Sequence, residues 1–389
     1  MAVSKPRRLL QEFILPPLRR LHGPYRLLRK IYRVGKSTLI ETARACFRRS
    51  QRIGPPLGWF SCWELLQKGD VKGEILLSGQ TVPTASLDSM RKISDLGQGG
   101  YQPWPIFWSY HSNVTLFGRT LVIMDQHKRA NVEGMFGQPH GDPAYSSFYR
   151  QKAVKLGGNW TSIVSNWCLS GSYYHWFLDG ITRLAMLPHF PPDTRILVPA
   201  KQLHYERDTI RMLGLEDRIR RTPEKHLQLE NYYFSAPSAM TGCCNPLGIE
   251  FLRSNLLPHA DPDFWQGEKL YLLRKGHTRY VLNQDEVIEF LSKAGWTVIE
   301  PEKLSLAQQI ATFSNARAVC GAHGSAFTNL LWSKPGCFVL ELFPSNFLNG
   351  CYESIAACIG LDYHYLICDS DSGFRMKVDL AKLAALLPK

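Results

Sequence analysis

Hydrophobic and polar positions along the chain change period in a regular way. In the second half, short apolar runs at residues 269–273, 296–299, 316–320, 337–342 and 364–368 read as strands. Between and after them, apolar residues recur every three or four positions at 285–294, 305–314, 352–359 and 378–387, which predicts helices. Residues 161–215 show the same alternation: strands at 161–165 and 195–198, helices at 172–187 and 205–213, and a further strand at 232–234. Strand and helix in turn are the pattern of a parallel sheet covered by helices. The stretch 58–157 is mixed, with strand candidates at 73–77 and 113–124 and a loop at 95–105. Residues 236–267 carry Gly, Pro and Asp in the pattern of a crossing between units. The expected organisation is an α/β chain with a basic extension at 1–57, a first unit at 58–240, a linker at 241–267 and a second unit at 268–389.

One stretch organises the second unit. Residues 319–344, VCGAHGSAFTNLLWSKPGCFVLELFP, read as a buried strand, a glycine-bearing turn, the start of a helix, a Pro-Gly turn and a second strand carrying Glu341. Gly321 and Gly324 let backbone approach a ligand, and free amides at the helix start suit a phosphate. His323, Ser325, Thr328 and Asn329 lie in or beside the turn. Such a run belongs at the carboxyl end of a parallel strand, where α/β proteins bind ligands.

Composition narrows the function classes. A chain of 389 residues with 44% hydrophobic content can bury two cores. The net charge of +13 points towards nucleic acid only until its distribution is read: residues 1–52 hold 14 Lys or Arg and 2 Glu, which leaves the remainder nearly neutral. Nucleic acid is therefore not an expected partner. Residues 7–36 mix Leu, Ile, Phe and Tyr with this basic set, interrupted by Pro16, Pro17 and Pro24. They fit either an anionic membrane surface or an arm packed on the domain. The ten cysteines include no CxxC pair, and no secretory signal or long apolar run is seen, so a cytoplasmic placement, peripheral on the inner face of a membrane, is expected.

Three stretches in order, 166–184 (NWCLSGSYYHWFLDGITRL), 271–291 (YLLRKGHTRYVLNQDEVIEFL) and 319–344, resemble the family 61 glycosyltransferases. That group includes plant xylan-decorating transferases and protein O-linked N-acetylglucosaminyltransferases. The resemblance implies a GT-B-like fold of two Rossmann-like domains facing across a cleft. It also implies an inverting transfer from a nucleotide sugar, UDP-linked by expectation, to a hydroxyl of a glycan or lipid-linked glycan. No cofactor and no bound metal are implied. A catalytically degenerate scaffold that binds a glycan or a nucleotide is the alternative.

His175 and Asp179, four apart on a predicted helix, share a face and match the family's His and Asp. His175 is the expected base and Asp179 its orienter or a substrate contact, against the alternative of a satisfied core histidine among aromatic neighbours. Arg274 and Lys275 follow a predicted strand, with Arg274 the first choice for a diphosphate contact. Arg279 and Asn283 match the family's next Arg and Asn; Asn283 also suits a helix cap. His323, Gly324, Ser325, Thr328 and Asn329 are the expected phosphate and nucleotide contacts, and Glu341 the acceptor of ribose hydroxyls, by likeness to GT-B sites. Asp369 and Asp371 form a DxD but read as loop acids, since Ser372 and Gly373 follow as in a turn.

Overall fold

The computed structural model describes residues 50–52, 56–77, 82, 103, 105–135, 149–237, 239–240, 242–276 and 278–388. The basic stretch 7–36 and nearly all of the loop 95–105 lie outside the described residues. The architecture is mixed α/β, with two main sheets.

In the second sheet, five parallel strands lie in the order Thr297–Ile299, Lys269–Leu272, Ala318–Ala322, Phe338–Pro344 and Asp362–Ser370, and the short strand Met376–Lys377 closes the edge antiparallel. Alternation along each strand feeds two faces, as the period of two requires. Leu270, Leu272, Val319 and Val339 enter one core, whereas Tyr271, Cys320, Leu340 and Leu342 enter another beneath the helices Gln284–Lys293 and Leu380–Leu386. Local chemistry sets the helix starts. Ser305 accepts from the amide of Gln308, while Gln308 Oε1 accepts from the amide of Ser305, so Leu306–Ser314 begins where its first amides find side-chain partners. The strand order reverses between Lys269–Leu272 and Ala318–Ala322, and at such a point the carboxyl ends of neighbouring strands open a crevice.

The first sheet is mixed. Ile219–Thr222, Arg195–Pro199, Val154–Ser162 and His226–Ser235 are parallel. Beyond them Ile106–Phe117, Val122–Met124 and Arg129–Asn131 run antiparallel, and Gly58–Phe60 pairs parallel with the last. The strand expected at 161–165 instead runs over Val154–Ser162. It was hidden by Gly157 and Gly158: Gly158 has φ 82° at a register shift opposite Glu230, whose carboxylate accepts its amide at 2.7 Å. The single strand expected at 113–124 is two, folded back where Gly118 and Leu121 take φ of 80° and 54°.

Helices fill the space between the sheets. Tyr173–His189, of mixed helical type, packs with His204–Met212 and with Pro246–Leu256, which forms inside the stretch read as a crossing. One apolar cluster joins Trp176, Phe177, Ile196 and Val198 of the first sheet's layer to Leu252, Phe313, Leu330, Trp332 and Val339 of the second. Arg253 crosses the same boundary and donates to the carbonyls of Leu331 at 2.5 Å and Ser333 at 2.8 Å. Among the described residues no helix is long and apolar enough to cross a membrane.

Candidate active site

The first polar cluster is built on a distorted helix. Three α-helical residues, Tyr173–His175, pass into a π-helical turn, Trp176–Gly180, and then into a 3-10 run, Ile181–His189. π turns of this kind recur at functional sites. A side chain at Gly180 would fall 2.8 Å from Cys168 Sγ, and the Cys168 thiol donates to the His175 carbonyl at 3.1 Å. The turn is thus held by a close approach that only glycine permits. It brings His175 Nδ1 to 2.6 Å from Asp179 Oδ2. With the carboxylate accepting, Nδ1 is the donor, and Nε2 has no hydrogen-bond partner among the described residues. The Trp167 ring stacks on the imidazole, with centroids 5.1 Å apart and planes 19° apart. Asp179 is buried, and its Oδ1 has no hydrogen-bond partner among the described residues. Burial raises its pKa, opposed by the hydrogen bond and charge of His175 and by Arg183. Arg183 Nε donates to the Asp179 carbonyl at 2.9 Å.

The second cluster gathers where the sheet order reverses. Arg274 follows the end of Lys269–Leu272, and His323 and Gly324 follow the end of Ala318–Ala322. Gly324 is extended, so its lack of a side chain matters for space alone: a Cβ there would fall on the Arg274 guanidinium. Arg274 Nε donates to the Thr278 carbonyl at 3.0 Å, and Arg279, at φ 57°, lies over the Phe347 ring at 4.9 Å. Neither arginine pairs with a carboxylate among the described residues. Burial, and then the charge of Arg279, lower the pKa of Arg274, a cation placed where an anion would relieve both effects. The 3-10 helix Ser325–Trp332 starts beside them with Ser325 exposed, and the first amides of a helix have no partner within it.

Several of the expected contact residues are buried or paired within the protein. Lys275 Nζ is bound to Glu300 Oε2 at 2.8 Å and points away from Arg274's role. Glu341 has no exposed surface: Oε1 meets His323 Nδ1 and Oε2 accepts from the Tyr363 hydroxyl, both at 2.5 Å. A carboxylate so enclosed does not fit the ribose role, and its consequence is to orient the His323 ring. That ring lies within 5.1 to 5.4 Å of Phe343, Tyr352 and Phe347. Thr328 is fully buried and its hydroxyl faces the Tyr352 side chain. Asn283 bonds the backbone of Val378 in both directions, at 2.9 Å each, and makes no cap bond to the helix that it precedes. Asp371 is held by the amides of Gly373 and Arg375 and by the Arg375 guanidinium, which leaves the DxD a closed turn.

Asn329 is a knot between the two halves of the molecule. Its Oδ1 accepts from Tyr173 Oη at 2.8 Å and Trp332 Nε1 at 3.1 Å, and its Nδ2 donates to Gln309 Oε1 at 2.8 Å and the Ala326 carbonyl at 3.2 Å. Asn329→Ala would strand three buried side-chain groups at once. Thermal or urea unfolding is expected to show a loss of about 2–4 kcal/mol, with nucleotide affinity unchanged in the folded fraction. A loss of nucleotide affinity without a loss of stability would restore Asn329 to the binding set.

The sequence reading passed over Glu353, although a lone acid in the apolar helix Cys351–Ile359 was a visible signal. Its residue is 4% exposed and Oε2 has no partner among the described residues, and burial, then the nearby Glu341 charge, push its carboxyl up to about 7. Because the folded-state value lies above the unfolded one, Glu353 disfavours the fold once it ionises: the penalty is absent at acidic pH and grows as pH rises through 7. Glu353→Gln is therefore expected to stabilise the protein by about 1–3 kcal/mol at pH 8 and by nothing measurable at pH 4.5. Equal effects at the two pH values would show that the carboxyl is not the titrating group.

Ring contacts join the two clusters. Tyr174 meets His175 edge-on at 5.2 Å and Tyr352 at 5.7 Å, and Tyr352 meets His323 at 5.2 Å. His175 and Asp179 are thus linked through Tyr174 and Tyr352 to His323, beside which Gly324 and Arg274 lie. Among the described residues no group of three or more His, Cys, Asp or Glu side chains converges as a metal ion would need. Two cavities, of about 620 and 770 Å³, lie elsewhere, at the opposite ends of the strands; the converging charges, not cavity size, identify the site.

Comparison with known proteins meets this geometry. Residues 173–340 match the family model Glycosyltransferase 61, a span that starts at the helix bearing His175 and ends one residue short of Glu341. The xylan glycosyltransferase MUCI21 of Arabidopsis thaliana is 27% identical over 118 residues, which is 28% of this chain and 24% of the relative's own length. The aligned part thus spans about a quarter of that relative. A stretch that matches the glycosyltransferase 61 model is accordingly present, and His175, Asp179, Arg274, Arg279, His323 and Gly324 fall inside it.

Proposed function

We propose that the protein is an inverting glycosyltransferase of GT-B-like organisation, moving a sugar from a UDP-linked donor to a glycan hydroxyl. The observation that carries this is the pairing of a His–Asp couple on one half of the molecule with two carboxylate-free arginines on the other, joined through Tyr174 and Tyr352. Transfer by single displacement needs a proton acceptor on one side of the anomeric carbon and cationic stabilisation of the leaving phosphate on the other. In this reading His175 Nε2 takes the proton of the acceptor hydroxyl as its oxygen bonds to the anomeric carbon. The bond from that carbon to the diphosphate breaks, and the nucleoside diphosphate leaves against Arg274, Arg279 and the amides at Ser325. Asp179 holds the imidazolium that forms. His323, fixed by Glu341, lines the donor side.

The test is nucleotide release from a panel of UDP-, GDP- and CMP-sugars, with and without oligosaccharide acceptors and with chelator present. Acceptor-dependent release from one UDP-sugar is expected. Binding of a donor without release from any acceptor would replace the transferase with a catalytically degenerate binding protein.

A further inference from the structure

The larger of the two cavities, about 770 Å³, lies at the amino ends of the second sheet's strands and within the size range of ligand sites, about 300–1,000 Å³. Its walls come from segments just before strands: Pro262, Phe264, Trp265 and Glu268 ahead of Lys269–Leu272, and Arg317 ahead of Ala318–Ala322. Lys334 closes it ahead of Phe338–Pro344. The candidate active site uses the carboxyl ends of the same strands. The two places are separated by at least the length of Ala318–Ala322, five residues, or roughly 16 Å.

Trp265 is 66% exposed and makes no ring, cation or hydrogen-bond contact among the described residues. An indole left in water presents a wide apolar face and one N–H donor, and it stays there at a cost that a ligand would remove. Around it the rim is polar and of both signs. Arg317 Nε sits 3.4 Å from Glu268 Oε2 with both side chains more than half exposed, and Lys334 is exposed. Asn315 uses its amide nitrogen on the Ala311 carbonyl, which leaves its oxygen as a further acceptor on the wall. A flat apolar platform ringed by several donors and acceptors fits a ligand whose faces are C–H and whose edge is dense in hydroxyls. A sugar ring has that surface. The smaller cavity lacks it: there Trp160 is buried, Arg195 already lies over its ring, and Arg220 is paired with Glu224.

We infer that this cavity is a second saccharide site, with Trp265 as its platform, which holds a distant stretch of the acceptor chain. The binding stands on the cavity alone; its service to an acceptor rests on the transferase reading. A chain gripped at two points gains affinity through effective concentration, so the site favours acceptors long enough to reach from one end of the sheet to the other.

Tryptophan-fluorescence and saturation-transfer titrations of the full chain with xylohexaose, cellohexaose and chitohexaose test it. At least one hexasaccharide is expected to bind, and Trp265→Ala to weaken it at least about tenfold, the loss of one anchoring aromatic contact. Trp265→Phe should recover part of the loss, and UDP binding should stay at the wild-type level in both variants. No binding of any hexasaccharide, or equal binding by wild type and Trp265→Ala, overturns the proposal while leaving nucleotide release free to support the transferase. Trp265-dependent binding in a protein that releases no nucleotide would keep the saccharide site and remove the transferase.

Discussion

Replacing His175 with alanine is expected to lower acceptor-dependent turnover by about 1,000-fold while UDP binds as before. The size follows from losing the group that removes the acceptor proton, with Arg274 and Arg279 still in place to stabilise the leaving phosphate. Asp179→Asn should reproduce most of the loss without removing the ring, because an amide no longer selects the tautomer in which Nδ1 carries the proton. The pair separates chemistry from packing. His175 stacks on Trp167 and touches Tyr174, so alanine also removes apolar contact. UDP affinity and the thermal midpoint, measured on the same samples, report that second effect. Turnover within threefold of wild type alongside a lowered midpoint would make His175 a core histidine.

Arg274→Ala is expected to weaken UDP binding by about 100-fold, the scale of a charge-assisted bond lost in a partly buried setting. Lysine should not restore it, since an ammonium cannot present two parallel donors to a phosphate. Gly324→Ala is the informative companion: its new methyl would occupy the place of the guanidinium and push the arginine aside, imitating the loss without touching residue 274. Lys275→Ala should change UDP affinity little, because Glu300 already holds that ammonium. Isothermal titration with UDP distinguishes the four variants. Equal weakening by Lys275→Ala and Arg274→Ala would mean a general basic field instead of a specific contact.

What could be read from the residues follows from the range of each interaction. The second sheet was legible because its strands are buried on both faces and its helices carry a regular apolar stripe, both local patterns. His175 and Asp179 were legible for the same reason, being one turn apart. The enclosure of Glu341 was not legible because its partners lie 18 and 22 positions away, at His323 and Tyr363, and nothing near it in sequence reveals them. The bonding of Asn329 was hidden likewise: Tyr173, which donates to its oxygen, is 156 residues earlier. In the first sheet, glycines at a bulge broke the alternation that would have marked Val154–Ser162. The π turn has no period of its own to detect; it appears only when Cys168 is seen pressed against Gly180.

The shared apolar cluster limits how this molecule can move. Enzymes with a cleft between two lobes often close on substrate by hinging, which requires an interface that parts cheaply. Here Phe177 packs edge-on against Trp332 with centroids 5.7 Å apart, Tyr173 is tied to Asn329, and Arg253 reaches across to Leu331. Swinging the lobes apart would expose those rings and break those bonds together. Opening at the site would therefore have to come from short connections at the rim, such as the one that carries Arg279 in its left-handed conformation. On these contacts the cost of parting the two halves exceeds that of moving a few residues of backbone.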